Sequence, residues 1–308
     1  MCYDKSQHFI KEKVMENVKR KTISFSQMSM YTDCPLKWYL SYVKGKSSGD
    51  QTIHLAFGSA MHSVLQNYIE VLYNQSVKVA DTLDLHQMLH DEMSKEFLKA
   101  SKSSGKFIST KEELVEFYMD GVAILDFFKA NRNDYFSKKS YELVGIEIPI
   151  EVDLQNNILF RGYIDIAIRD TISGKIKIID FKTSTMGWKD YQKNDENKIS
   201  QIVLYKKFFA EQNNVSIDKI DVEFIILKRK LYENMDFPQK RIQRFTPASG
   251  KQTVNKVTQR LNEFIKTCFT DVGQYNEERK YDKTDAEKKC KYCEFLSDKN
   301  LCGGLKRK

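Results

Sequence analysis

The 308-residue chain has no uninterrupted apolar stretch approaching the roughly 18 residues that cross a bilayer, and Met1 to Lys21 are polar and mixed in charge. Neither a membrane span nor a secretory signal is expected, which points to the cytoplasm and to no membrane partner. The biases of non-globular chains are missing too. Hydrophobic residues make up 41% and charged residues 30%, which excludes the disordered, collagen-like and coiled-coil classes. No internal repeat is present, and no low-complexity segment apart from a basic end, Leu305-Lys306-Arg307-Lys308. One triplet, Gly45-Lys46-Ser47, invites a phosphate-loop reading, but Leu40 stands where that motif needs its first glycine and no strand precedes it. No ATP-driven motor is expected.

What is present suits a soluble folded protein. The length allows one large domain or two of about 150 residues. Lys and Arg number 50 against 42 Asp and Glu, leaving a net charge of +8, a field that favours polyanions such as DNA or RNA.

The six cysteines, in a chain without an export signal, point to metal more than to disulfides. Cys290 and Cys293 form a C-x-x-C pair, and Cys302 follows after eight residues in a Lys-rich segment poor in apolar residues. Such a segment is not expected to fold on apolar burial alone, so its cysteines read as ligands that order it. Cys34 stands far earlier, before Pro35. Cys268 continues the Leu261, Phe264, Ile265 stripe at helical spacing and reads as core. Cys2 receives no role. By spacing alone, C-x-x-C plus a third cysteine also fits a small zinc knuckle.

Along the chain, residues 24–43 read as two short helical stretches broken at Cys34-Pro35, because proline cannot donate in a helix and restricts its predecessor. Helices are expected over 58–74, 84–100 and 110–131, the last opened by Thr110 with Glu113 three residues on. In the first, His62, Leu65, Ile69 and Leu72 share a face, where a histidine is ordinarily a packed core residue. The period then changes to two. Strands are expected over 141–153, 158–169 and 175–182, joined by turns at Gln155-Asn156-Asn157 and Ser173-Gly174 as a meander. A helix over 196–212, a strand over 219–229, a strand near 240–246 and a helix near 248–269 complete the pattern.

The third strand closes with Ile178-Ile179-Asp180-Phe181-Lys182, so Asp180 and Lys182 project to the same side. Asp165 lies in the second strand among Tyr163, Ile164, Ile166 and Ile168, where an acid is out of character unless its charge is compensated. If the two strands pair through the Ser173-Gly174 turn, both acids reach one cation. Two carboxylates and a lysine suit a divalent metal that binds phosphate. An acid-x-Lys triplet is ordinarily a surface ion pair. Four such triplets occur, beginning at Asp180, Glu196, Glu278 and Glu287, and only the first closes an apolar β run.

This combination resembles the PD-(D/E)XK nuclease superfamily, and within it the RecB-type nucleases with an iron-sulfur staple, which include CRISPR-associated adaptation nucleases and AddB-type nuclease domains. The resemblance implies a restriction-endonuclease-like α/β (α+β) fold with a central mixed sheet flanked by helices, plus a helical region and a stapled C-terminus. It assigns the metal site to His62 in FGSAMHSVL, Asp165 in RGYID, and Asp180 with Lys182 in IIDFKTS, the Phe181 carbonyl completing the ligands. Gln201 and Tyr205, four apart in SQIVLYKKF, correspond to a Q-x-x-x-Y pair that contacts DNA. Read without the resemblance, Gln201 is a solvated residue and Tyr205 a core or rim aromatic. Glu147 in GIEIPI corresponds to a possible further acid. Tyr31-Thr32-Asp33-Cys34-Pro35 matches the context of the family's first cluster cysteine, which implies a 4Fe-4S cluster on Cys34, Cys290, Cys293 and Cys302; Zn2+ remains the alternative.

The implied activity is Mg2+- or Mn2+-dependent hydrolysis of DNA phosphodiester bonds, most simply by an exonuclease of recombination, repair or phage DNA processing. Its partners would be DNA and a separate helicase or recombination protein. The alternatives are a non-cutting DNA-binding or adaptor protein on the same fold and a zinc-containing endonuclease. The expected segments are a tail over 1–22, a helical region over 23–140 carrying Cys34 and His62, a nuclease core over 141–270 and a cysteine segment over 271–308.

Overall fold

The computed structural model describes residues 20–46, 51–291, 293–298 and 300–303. Cys2 and the tail before Arg20, Ser47 of the Gly45-Lys46-Ser47 triplet, and the Leu305–Lys308 end lie outside them. The main elements are β1 (Lys21–Ile23), α1 (Phe25–Asp33), α2 (Ile53–Asn74), α3 (Leu85–Ser104), α4 (Lys111–Ala130), β2 (Tyr141–Leu154), β3 (Ile158–Asp170), β4 (Ile176–Ser184), α5 (Glu196–Gln212), β5 (Ile220–Lys228), β6 (Ile242–Phe245) and α6 (Lys251–Cys268). None of the described helices is long and apolar enough to cross a membrane. The chain divides into two compact units, one of residues 48–149 and 163–254, the other of 1–47, 150–162 and 255–308.

The first unit carries the sheet that matters for chemistry. Strand β4 is antiparallel to β3, with Ile166 opposite Ile179 and Arg169 opposite Ile176, and parallel to β5 from Ile176 opposite Ile220 to Ser184 opposite Lys228. Strand β6 adds antiparallel to β5. This is the expected mixed sheet. A parallel neighbour requires a crossover, and α5 supplies it. A strand buried on both faces reads as a continuous apolar run, which is why Ile176, Ile178, Ile179 and Phe181 are all buried.

Sequence signals set the helix starts. Thr52, Asp84 and Thr110 accept backbone N–H bonds from Leu55, Gln87 and Glu113, satisfying donors that a helix leaves orphaned. Helix α2 therefore begins five residues before its expected start at 58. The apolar faces of α2, α3 and α4 bury Phe57, Met61, Leu65, Leu89, Ile124 and Phe128 together with Ile166, Ile179, Phe181, Ile225 and Leu227 of the sheet.

The second unit joins both terminal segments. Strand β1 runs parallel to the start of β3, Lys21 opposite Ile158. Cys34 has the extended backbone (φ −161°, ψ 107°) that a following proline favours, so the expected break falls there. Trp38 is fully buried and packs on Tyr31, Phe264, Phe269, Tyr275 and Tyr281. Tyr281 and Phe295 are buried, so the C-terminal segment has apolar anchors that a reading of its lysines and cysteines undervalued.

Candidate active site

Every residue of the site belongs to the unit of residues 48–149 and 163–254. Its geometry follows from how β3 and β4 end. The β3–β4 pairs stop at Ile166 and Ile179, while β4 stays paired to β5 through Ser184. One step past that last pair stand Asp165 and Asp180. There the Phe181 N–H is taken by a side chain, Oδ2 of Asp165, at 2.7 Å. The same Oδ2 lies 3.5 Å from Nδ1 of His62 on α2, whose ring packs edge-on to Phe181.

Lys182 is the hub of the other half. Its Nζ stands 2.6 Å from Oδ2 of Asp180 and donates to Oε1 of Gln201 at 3.0 Å. Gln201 in turn donates to the Tyr205 hydroxyl at 3.3 Å. The four-residue spacing on α5 places these two on one face. Gln201 is half-buried rather than solvated, and Tyr205 is buried. Glu147 completes the group from β2, held by Nε2 of Gln66 at 2.5 Å.

Glu147 has a left-handed backbone, φ +49°, inside a strand. Tyr141 and Leu143 before it and Ile146 after Gly145 all pack on the core, so the alternation slips by one residue, the mark of a bulge. A non-glycine residue held there costs of order 1–3 kcal/mol.

Electrostatics follow burial. Desolvation pushes Asp165 up to about 6 against the pull of Lys182, with Glu147 adding to the rise. Desolvation likewise raises Asp180 to about 6, opposed by Lys182 and reinforced by Asp165. Burial and then the Lys182 charge push His62 down to about 4, so its ring is neutral at pH 7. For Lys182, desolvation works downward, but the Asp180 and Asp165 charges outweigh it and hold its pKa above the usual lysine value. The other acid-x-Lys triplets begin at Glu196, Glu278 and Glu287, which are all exposed, whereas Asp180 keeps 4% of its side-chain surface.

The residue types, two carboxylates and an imidazole, have the donor chemistry a divalent cation takes. Oδ2 of Asp180 is buried and, apart from its ion pair, makes no hydrogen bond, and a hard cation takes such an oxygen. Among the described residues no group of three or more His, Cys, Asp or Glu side chains is placed to hold a metal ion. Gln66 is the residue that sequence reasoning missed. Its position one helical turn after His62 was the available signal.

In the other unit, burial raises the Cys290 thiol, and the Cys34, Cys293 and Cys302 sulfurs around it raise it further. All four are free thiols, and the Thr284 N–H donates to Sγ of Cys34 at 3.4 Å. Cys268 is buried as expected.

The family model of the PD-(D/E)XK nuclease superfamily matches residues 22–298. A solved structure described as "Crystal structure of SSO0001" matches at 13% identity over 94% of this chain and 93% of that one, with a TM-score of 0.35. No curated protein matches.

Proposed function

The chain belongs to the PD-(D/E)XK nuclease superfamily, and from that premise we propose that it is a metal-dependent DNA nuclease, acting as an exonuclease in recombination, repair or phage DNA processing. The observation that carries the reading is that Asp165 and Asp180 stand one step past the last β3–β4 pair, Asp165 bonded to the Phe181 N–H and the buried Oδ2 of Asp180 2.6 Å from Lys182 Nζ. Asp165, Asp180, His62 and the Phe181 carbonyl would hold Mg2+ or Mn2+. Such an ion polarises the phosphate and lowers the pKa of an attacking water.

The chain's own residues do the rest. A neutral His62 carries a lone pair on one ring nitrogen at pH 7, as a metal ligand must. Lys182, charged and steadied by Gln201, stabilises negative charge on the phosphate electrostatically. Tyr205 and Gln201 border it, where a DNA strand would lie. The net charge of +8 favours such a polyanion. Linear end-labelled and closed circular DNA with Mg2+ or Mn2+ test the reading. Release of end nucleotides by the parent and none by Asp180→Ala supports it; identical behaviour of the two refutes it. Cutting of the closed circle would replace exonuclease by endonuclease.

For the terminal unit, a 4Fe-4S cluster on Cys34, Cys290, Cys293 and Cys302 fits four neighbouring free thiols and an N–H donor to sulfur. Its role would be structural, tying residue 34 to residues 290–302. Broad visible absorption with equal iron and sulfide in anaerobically purified protein supports this; colourless protein carrying zinc would replace the cluster by a zinc knuckle.

A further inference from the structure

In and just beyond β5, basic side chains meet over an acid: Lys177 and Arg244 share Glu223, and Arg229 and Lys230 share Asp120. Lys228 and Arg241 meet without one. The Lys228 N–H donates to the Arg241 carbonyl at 2.8 Å, extending the β5–β6 pairing one step past Leu227 opposite Ile242. Their side chains therefore leave neighbouring antiparallel strands on the same side, where like charges destabilise. Arg241 donates to the Arg229 carbonyl at 2.7 Å, but among the described residues neither cation is paired with an acid. Burial and then the Arg241 charge hold the Lys228 pKa below the usual lysine value. The lysine stem is confined as well. Gly187 has φ +90°, and a Cβ there would lie 2.9 Å from Cδ of Lys228, so glycine lets the loop after β4 cross close over it. That loop is tied down by Ser184 Oγ, bonded to Gly187 at 3.1 and 3.2 Å, and by Gln243, bonded to both the N–H and the carbonyl of Trp188.

The pair lies on the side of the sheet that carries Lys182. Asp180, Lys182 and Ser184 alternate onto one face of β4, and in the parallel ladder Lys182 stands opposite Ile226 and Ser184 opposite Lys228. Lys228 is thus one strand across and two residues, about 7 Å, beyond Lys182. We propose that Lys228 and Arg241 clamp a phosphate of the DNA strand next to the one that is cut, so that the strand runs from Asp180 and Lys182 across the end of β5 to β6. The proposal rests on the nuclease reading of the site. A backbone phosphate supplies the anion that the cross-strand pair lacks, with the guanidinium fork and the ammonium both suited to its oxygens. Such a contact fixes the register of the strand without reading its sequence.

The experiment is binding of fluorescein-labelled single-stranded DNA to the full chain, read by fluorescence anisotropy across a salt series in EDTA, which stops metal-dependent cutting. Lys228→Gln and Arg241→Gln should each weaken binding about 10-fold, the scale of a hydrogen bond between charged groups. Each should also lessen the slope of log K against log salt by about 0.7. Lys95→Gln, an equal loss of charge on α3 where Lys95 pairs with Glu92, should leave affinity and slope at the parent's values. Without DNA, Lys228→Gln should keep or raise Tm, because it removes a like-charge contact; a lysine retained for packing alone would lower it.

Parent-like affinity and slope in both variants overturn the clamp, as does an equal loss in Lys95→Gln. A parent that binds no DNA overturns it as well. If Lys228→Gln does not fold, Arg241→Gln decides. Inorganic phosphate that raises the parent's Tm while both variants bind DNA like the parent would make the pair a site for a free anion and overturn the DNA clamp. The nuclease reading is judged apart, by cleavage with Mn2+: a parent that binds DNA with the expected slopes but cuts nothing loses that reading, while the phosphate contact stands on its affinities.

Discussion

Nζ of Lys182 lies 2.6 Å from Oδ2 of Asp180, two residues back on the same strand, and 3.0 Å from Gln201. The amine is therefore fixed before any substrate arrives. Lys182→Ala should retain Mn2+ binding and lower kcat by about 10²- to 10³-fold, the usual loss when a preorganised charge is removed. Steady-state cleavage beside calorimetry separates the two. Loss of Mn2+ binding together with activity would make Lys182 a structural partner of Asp180 instead.

Metal uptake should depend on pH with a definite sign. Asp165 and Asp180 are raised to about 6, so each holds its proton more tightly folded than unfolded. Their contribution to metal-free stability is fully present below the unfolded value and is lost as pH rises through about 6. His62 is depressed to about 4; its contribution is present above the unfolded value and lost as pH falls through about 4. Mn2+ competes with the carboxyl protons, so the Mn2+-induced rise in Tm should grow between about pH 5 and pH 7 and then level. Differential scanning fluorimetry across that range reads it.

A second buried charge pair lies on the helical side of the same unit. Arg229 donates to Asp120 at 3.0 Å, Lys230 approaches Asp120 at 3.0 Å, and the guanidinium stacks 3.6 Å over Phe117. Asp120→Ala strands the buried arginine and should cost about 3–5 kcal/mol. Mn2+ affinity should not change. Asp120→Leu with Arg229→Met should recover most of the loss, measured by urea unfolding.

In the terminal unit, Cys290 is buried, and burial and the other three cysteines raise its thiol pKa. If the four thiols hold the proposed cluster, Cys290→Ser should abolish iron and sulfide content and lower Tm, while calorimetric Mn2+ binding at Asp165 and Asp180 persists. Full iron content in that variant would remove Cys290 from the ligand set.

The sheet and its helices were legible because hydrophobic period and caps agreed. Helix α5 spans Glu196–Gln212, the range read from its pattern, with Asp195 as its cap. The Asp180 triplet stood out from its three exposed counterparts because it closed an apolar strand. Less could be read where one residue changes the phase. The slip around Gly145 is marked in sequence only by the adjacent apolar pair Leu143-Val144 and by the glycine, which do not say which residue takes the left-handed backbone. Gln66 reads as an ordinary helical polar residue until Glu147 is known to lie against it. The early start of α2 was missed because Thr52 follows a polar loop and Ile53 to Phe57 show less than two turns of periodicity.

The most direct measurement is end-release from labelled linear DNA with Mn2+ by the parent, Asp165→Asn and Asp180→Asn. If the two acids share one ion, the parent releases nucleotides and each single variant is inactive. Full activity in either variant would mean that the ion does not sit between them.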